Sequence, residues 1–282
     1  MPELLPAETE RPEWVHAAMR YAALGQGKRL RPVLTLAVAE MFGAPASDDV
    51  VDLACAVELV HACSLVLDDL PSMDDAELRR GRPTVHRAFG EDVAILAAFA
   101  LLARAYQLVA DTAQRLGIRR YASEDLVHHL AEAIGTRGLV GGQALDLVSR
   151  PDDTDLERLE FVHSHKTGAL FLAAAELGAM AADARRRDLE AVGRYAKNLG
   201  LAFQIEDDLL DALATPEETG KDADQDAGKT TFVSLLGVDG ARALAGELLA
   251  FAVDSLAPLG RKADALRALA EFVGRPGASA GR

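Results

Sequence analysis

The chain of 282 residues is half apolar, only 5% aromatic and 26% charged, with a formal net charge of −14. This is enough for one large domain with a full core. The acidic balance excludes a nucleic-acid binder, which needs a basic stripe. Positive charge is instead gathered in islands, Lys28-Arg29-Leu30-Arg31, Arg79 to Arg87, and Lys166. Such islands on an acidic protein suit a small anionic ligand.

Taken in order, residues 1–12 read as a loose start, and from Trp14 onward the sequence predicts a succession of helices. Apolar residues fall at helical spacing over 32–43 and 50–69, and Ser47 or Asp48 is placed to cap the second of these. A long helix is expected over 91–115, with Gly117 as its stop. Further helices are expected over 123–140, 155–181, 186–213 and 231–257, and residues 274–282 read as a loose tail. Alternating β-branched runs are essentially absent. No linker divides the chain, so the fold class expected is all-α, one domain of roughly ten helices spanning 1–282.

Cys55 and Cys63 stand two helical turns apart, too distant for a disulfide, and are expected to be reduced and buried. Reduced cysteines and an N-terminus without a signal-peptide pattern predict a cytoplasmic protein. No apolar run reaches the roughly 20 uncharged residues of a membrane span, so none is expected.

Two acidic clusters stand out. The first reads Asp68-Asp69-Leu70-Pro71-Ser72-Met73-Asp74-Asp75, followed by Arg79-Arg80-Gly81-Arg82; the second reads Gln204-Ile205-Glu206-Asp207-Asp208-Leu209-Leu210-Asp211, followed by Lys221 and Lys229. Like charges so close cost free energy unless something positive binds them. A hard divalent cation such as Mg²⁺, held between carboxylates and substrate phosphates, meets that need. Asp207 and Asp211, at i and i+4, share one helix face about 6 Å apart along the axis. Asp68 and Asp74 are six apart and would diverge on a straight helix. Pro71 ends the helix near Asp69, and a short loop can return Asp74 to Asp68 and Asp69. Arg79 and Arg80 offer forked donors for phosphate oxygens.

Further pieces fall in a fixed order around these clusters: Gly27-Lys28-Arg29-Leu30-Arg31-Pro32, His61-Ala62-Cys63-Ser64-Leu65, Gly141-Gly142-Gln143-Ala144-Leu145-Asp146, Lys166-Thr167-Gly168 and Phe203-Gln204. Over roughly residues 20–240 the sequence resembles the trans-isoprenyl diphosphate synthases, and 67–102 and 220–237 most resemble geranylgeranyl diphosphate synthases of bacterial carotenoid pathways.

The resemblance implies an isoprenoid synthase fold with a deep central cavity, and a homodimer. It implies condensation of isopentenyl diphosphate with an allylic diphosphate (dimethylallyl, geranyl or farnesyl). Asp68 and Asp74, with Asp69 nearby, and Asp207, helped by Asp208 and Asp211, would hold three Mg²⁺. Arg79, Lys166, Thr167, Gln204, Lys221 and Lys229 would contact the allylic diphosphate. Lys28, Arg31, His61 and Arg80 would hold that of isopentenyl diphosphate, and Phe203 would lie near the reacting carbon chains. Asp146 would orient Lys166. The pairs His128-His129 and His163/His165 are read as structural.

The helix before Asp68 is expected to wall the pocket in which the product grows. Cys63 and Ser64 lie about 6–7.5 Å up that wall. Relatives that stop at fifteen carbons commonly carry an aromatic residue there, so two small residues imply a twenty-carbon product. Phe99, on the helix over 91–115, is expected in the core. The rival readings are a farnesyl diphosphate synthase, a class I terpene cyclase, which leaves Lys28, Arg31 and Arg80 unexplained, and a non-catalytic synthase subunit, which usually lacks one cluster.

Overall fold

A computed structural model describes residues 1–149, 155–213 and 230–275. Twelve α-helices are found among them. They are α1 (Glu13–Ala23), α2 (Leu30–Met41), α3 (Asp48–Asp68), α4 (Val85–Phe89), α5 (Glu91–Arg115), α6 (Ser123–Ile134), α7 (Leu139–Val148), α8 (Leu156–His163), α9 (Ala169–Ala181), α10 (Arg186–Leu213), α11 (Phe232–Ser255) and α12 (Asp264–Val273). The all-α expectation holds apart from one small hairpin, β1 (Leu78–Arg79) with β2 (Arg82–Pro83), in which Leu78 pairs with Pro83 and Arg79 with Arg82. Two residues per strand are too few to show alternation. Its turn, Arg80-Gly81, has positive φ at both positions, +54° and +73°. That is the mirror-image turn favoured by two-residue hairpins.

Local chemistry accounts for the helix ends. The Ser47 hydroxyl caps α3 by accepting from the Val50 amide. Helix α2 starts at Leu30, before the expected 32, because Pro32 is tolerated in a first turn whose amides lack partners. The helix expected over 123–140 is split into α6 and α7 where Gly138 leaves helical geometry, φ −135° and ψ −129°, and packs against the Ala133 carbonyl too closely for a Cβ. The helix expected over 155–181 is broken by a π-turn, Ser164–Gly168, between α8 and α9.

The main core is built from α2, α3, α5, α9 and the first half of α10, around Leu34, Leu59, Leu101, Phe171 and Leu199. Cys55 and Cys63 are free and buried, as expected. A smaller core of Leu159, Leu201, Ile205, Leu209, Phe232, Ala241 and Ala245 joins α8, α10 and α11. Burying each such leucine or isoleucine contributes about 1.5–3 kcal/mol, so this cluster fixes the rotation of α10 about its axis.

One expectation is corrected, at Phe99, and one gains a qualification. Helices α3 and α5 are each long and apolar enough to cross a membrane, with 67% and 44% of their most apolar windows buried inside the protein. Apolarity all round marks a helix enclosed in a large core as well as a membrane span. Phe99 is 68% exposed rather than in the core, and Ile95 and Leu96 share its outward face of α5. Their neighbours Val93, Ala94, Ala97 and Ala98 fill the buried face, leaving 95, 96 and 99 on the opposite one.

Candidate active site

Helix α3 ends at Asp68 and the chain turns back at once. The amides of Met73, Asp74, Asp75 and Ala76 donate to the carbonyls of Leu70, Asp68, Leu70 and Asp69 respectively, with Asp74 N to Asp68 O at 2.9 Å. This is the return that Pro71 predicted. Asp68 and Asp74 lie close enough for each charge to act on the other. Burial, with the Asp74 and Asp69 carboxylates adding, pushes the Asp68 carboxyl up to about 6; Lys166 is the leading charge that opposes this. Asp69 turns aside. It is 3% exposed, and Arg79 Nε donates to it at 3.0 Å while a second guanidinium nitrogen closes the fork. The hairpin carries this arginine back across ten residues to the end of α3.

Lys166 sits in the π-turn, the kind of helix insertion that re-aims side chains at functional sites. Its ammonium reaches Asp146 of α7 at 2.7 Å, the orienting contact expected of Asp146. A Cβ at Gly142 would strike the backbone nitrogen of Lys166, so only glycine lets α7 approach this closely. Gln143, on the same helix, is buried and donates to the Met73 sulfur at 3.6 Å, while its side-chain oxygen has no hydrogen-bond partner. It therefore touches the loop of the first cluster.

The second cluster lies on α10 on the side away from the smaller core. Ile205 and Leu209 point into that core, and Asp207 and Asp211 are rotated about 200° from them. Asp208 has a different task. It accepts from Gln204 Nε2 at 3.0 Å and from the Phe232 amide, the first of α11, at 2.9 Å. Thr167 donates to Gln204 Oε1 at 3.0 Å. A single hydrogen-bonded line thus ties the π-turn, α10 and the start of α11.

The cations expected to serve a second diphosphate lie beside Asp207. Burial lowers the Lys28 pKa, with Asp207 opposing and Arg80 adding. Burial brings the Arg31 guanidinium down to about 10, with Glu58 and Asp207 opposing and Arg80 adding. The Arg31 guanidinium stacks on Phe171, 4.6 Å from the ring centre, and its Nε is buried without a hydrogen-bond partner. Arg80 donates to the Gln26 carbonyl and packs over Gly27, where a Cβ would meet the guanidinium. His61 is held well below its ordinary pKa by burial first, then by Arg31, Arg80, Arg79 and Arg29. Phe203 lies 5.9 Å from the Lys28 ammonium and 5.4 Å from the Phe171 ring.

The structure therefore gathers Lys28, Arg31 and Arg80 near Asp207, with His61 beside Arg31 and Arg80, and Asp68, Asp69, Asp74, Arg79 and Lys166 around the end of α3. Lys221 and Lys229 lie outside the described residues. Cys63 is buried in the main core, with its thiol raised to about 12 by burial and the nearby Asp68. Ser64 is half-buried, and its hydroxyl donates to the His61 carbonyl at 2.9 Å. His128 lies near Glu132, His129 pairs with Glu176 and His165 stacks on Phe161, so each has a local partner. The sequence reading missed the buried pair Glu58–Arg29; the signal was a lone acid in the apolar run 53–67.

Among the described residues no three His, Cys, Asp or Glu side chains form a ready metal cage. Mg²⁺ seldom uses one: it takes one or two carboxylates and completes its shell with water and substrate phosphates. The donors here are hard carboxylate oxygens. Asp68, pushed toward protonation by burial and then by the Asp74 and Asp69 carboxylates, fits a site that a cation completes.

The sequence profile described as polyprenyl synthetase matches residues 12–254. A geranylgeranyl diphosphate synthase from Pantoea ananas is 48% identical over 236 residues, 83% of this chain and 76% of that protein. A chloroplastic geranylgeranyl pyrophosphate synthase from Arabidopsis thaliana is 44% identical, over 89% of this chain and 73% of that protein. Among solved structures, an FPP/GFPP synthase from Zymomonas mobilis superposes with a TM-score of 0.84 at 37% identity, covering 97% of this chain and 92% of that one. A Helicobacter pylori geranyltransferase, solved with magnesium and isoprenyl diphosphate, gives 0.81 at 30% identity, over 95% and 89% of the two chains. With a profile spanning most of its length and relatives this similar on both measures, the chain belongs to the polyprenyl synthetase family.

Proposed function

We propose that the protein is a prenyltransferase that condenses isopentenyl diphosphate with an allylic diphosphate and releases geranylgeranyl diphosphate. The observation that carries this reading is the pairing of two acidic clusters with two cation sets, which adjoin at Arg79 and Arg80. Lys166 and Arg79 stand at the first cluster, and Lys28, Arg31 and Arg80 stand near the second. One diphosphate needs one such set; two sets call for two. A terpene cyclase, which binds a single diphosphate, leaves the second set without a purpose.

In this reading Asp68, Asp74, Asp207 and Asp211 would hold Mg²⁺, three ions per site. Bound there, Mg²⁺ neutralises charge that develops on the departing diphosphate. Lys166, held by Asp146, and Thr167 and Gln204, held by Asp208, orient that diphosphate while the allylic C–O bond breaks and its electron pair leaves with the oxygen. Lys28, Arg31, His61 and Arg80 fix the other substrate so that its double bond attacks the allylic carbon. The proton then lost from C2 passes to the released diphosphate. Phe203 and Phe171 supply apolar surface that excludes water from the cation.

Relatives named for a twenty-carbon product support the product length, as do the small side chains at Cys63 and Ser64. The exposed face of Ile95, Leu96 and Phe99 supports a homodimer, since apolar side chains at helical spacing lose solvent on pairing. One Arabidopsis relative is named as the large subunit of a heterodimeric synthase, so a second, different chain is the competing partner.

The test is product analysis by mass spectrometry after incubation with dimethylallyl and isopentenyl diphosphates and Mg²⁺. A twenty-carbon diphosphate is expected, and its formation should stop with EDTA. A fifteen-carbon product would refute the assigned length but keep the class. No condensation, alone or with an added partner, would refute the class.

A further inference from the structure

Glu58 is 3% exposed in the middle of α3, and no role in the proposed reaction falls to it. Its carboxylate receives Arg29 Nη1 at 2.5 Å. The other arm of the same guanidinium donates to the Gly25 carbonyl. Arg29 is thus a clasp between α3 and the loop 25–29. It is also the residue before α2, held at φ +53°. A non-glycine residue keeps that left-handed conformation only when its surroundings impose it. The turn at Arg29 sets the directions in which Lys28, just before it, and Arg31, just after it, leave the backbone.

The same carboxylate acts on two more cations. Among the charges that raise the pKa of Arg31 and of Arg80, Glu58 is the largest in both cases. Arg29, Arg31 and Arg80 therefore converge on one buried anion, and His61 lies one turn further along the same helix. Three guanidinium groups repel one another when no diphosphate is bound, and without Glu58 the surroundings would favour splaying them apart.

We infer that Glu58 is the positioning residue of the isopentenyl diphosphate subsite: through Arg29 it holds the Lys28–Arg31 turn, and by its charge it keeps Arg31 and Arg80 together in the empty site. This rests on the proposed assignment of Lys28, Arg31 and Arg80 to that substrate. A simple charge count predicts the opposite, since removing an anion ought to favour a bound diphosphate. The geometry decides against it. Glu58 is already paired with Arg29 and buried, so its main effect is on the placement of cations.

The experiment compares wild type with Glu58→Gln in two measurements. One is calorimetric titration of isopentenyl diphosphate into the full chain without allylic substrate. The other is the steady-state KM of each substrate. Expected is a rise of about tenfold or more in the Kd and KM for isopentenyl diphosphate, with the KM for dimethylallyl diphosphate changed less than about threefold. Unchanged or tighter isopentenyl diphosphate binding by a folded Glu58→Gln overturns the inference, and so does equal weakening of both substrates. If Glu58→Gln does not fold, Arg29→Lys decides by the same criteria, because an ammonium cannot fork between Glu58 and Gly25. Wild type that binds no isopentenyl diphosphate would instead refute the subsite assignment itself.

Discussion

Asp208 separates two meanings of an acidic residue beside a candidate metal site. Two of its hydrogen bonds are structural, one from Gln204 and one from the first amide of α11. The amide bond resembles a helix cap, worth about 1 kcal/mol, and the charge-assisted amide from Gln204 contributes about 1–2 kcal/mol. Asp208→Ala should therefore lose about 2–3 kcal/mol of stability. At about 2–4 °C per kcal/mol for a chain of this size, Tm should fall by roughly 5–10 °C. Asp207→Ala should lose condensation by a factor of about 100 or more, whatever its Tm. The assay is differential scanning fluorimetry beside product formation at saturating substrates. A wild-type Tm for Asp208→Ala would refute the reasoning, because the line from Thr167 through Gln204 to α11 would then hold nothing.

Other consequences can be checked separately. Burial and Arg31, Arg80, Arg79 and Arg29 hold His61 neutral, so protons bind it in the unfolded chain first and stability falls as pH drops below about 6.5, by up to about 1.4 kcal/mol per pH unit. His61→Gln should lose less Tm than wild type between pH 7.5 and 5, and parallel curves would contradict this. Phe99→Asp should lower the mass found by light scattering if the face of α5 joins two copies, and an unchanged dimer would place the interface elsewhere. Ser64→Phe should shorten the product to fifteen carbons with little loss of stability because Ser64 is only half-buried. Cys63→Tyr should do so at a cost of about 1–3 kcal/mol, because Cys63 is packed in the main core. A twenty-carbon product from both folded variants would remove α3 as the limiting wall.

Much of the fold was legible because its signal is local. The Ser47 cap, the end of α5 before Gly117 and the break at Pro71 depend on neighbours within a few residues. The hairpin at 78–83 was not legible as strand, since four paired residues carry no period; only the Arg80-Gly81 turn hinted at it. The π-turn at 164–168 also escaped, because a single inserted residue leaves the apolar pattern on either side intact. Phe99 was misplaced for a related reason: periodicity finds a helix readily, but α5 is apolar around most of its circumference and does not say which arc meets solvent.

Within the site the chemistry of the clusters was legible and the division of labour inside them was not. Each contains two consecutive aspartates, and consecutive residues on a helix point about 100° apart. Both members therefore cannot face one point. In the first pair Asp68 meets Lys166 and Asp74, while Asp69 turns to Arg79, ten residues on. In the second, Asp207 acts on Lys28, Arg31 and Arg80, while Asp208 turns to Phe232, twenty-four residues on. One aspartate of each pair thus anchors the chain that returns to it, and the other faces the cations that would bind diphosphate. The partners of the anchoring aspartates are fixed by where the chain returns, a property of the folded molecule that no spacing in the sequence encodes. The same logic explains Glu58, whose partner Arg29 stands twenty-nine residues earlier on another element. An acid beside a cation cluster is read as a ligand for substrate or metal when only the sequence is known. In the structure, burial and a fixed arginine partner identify instead the acids that hold the cations in place.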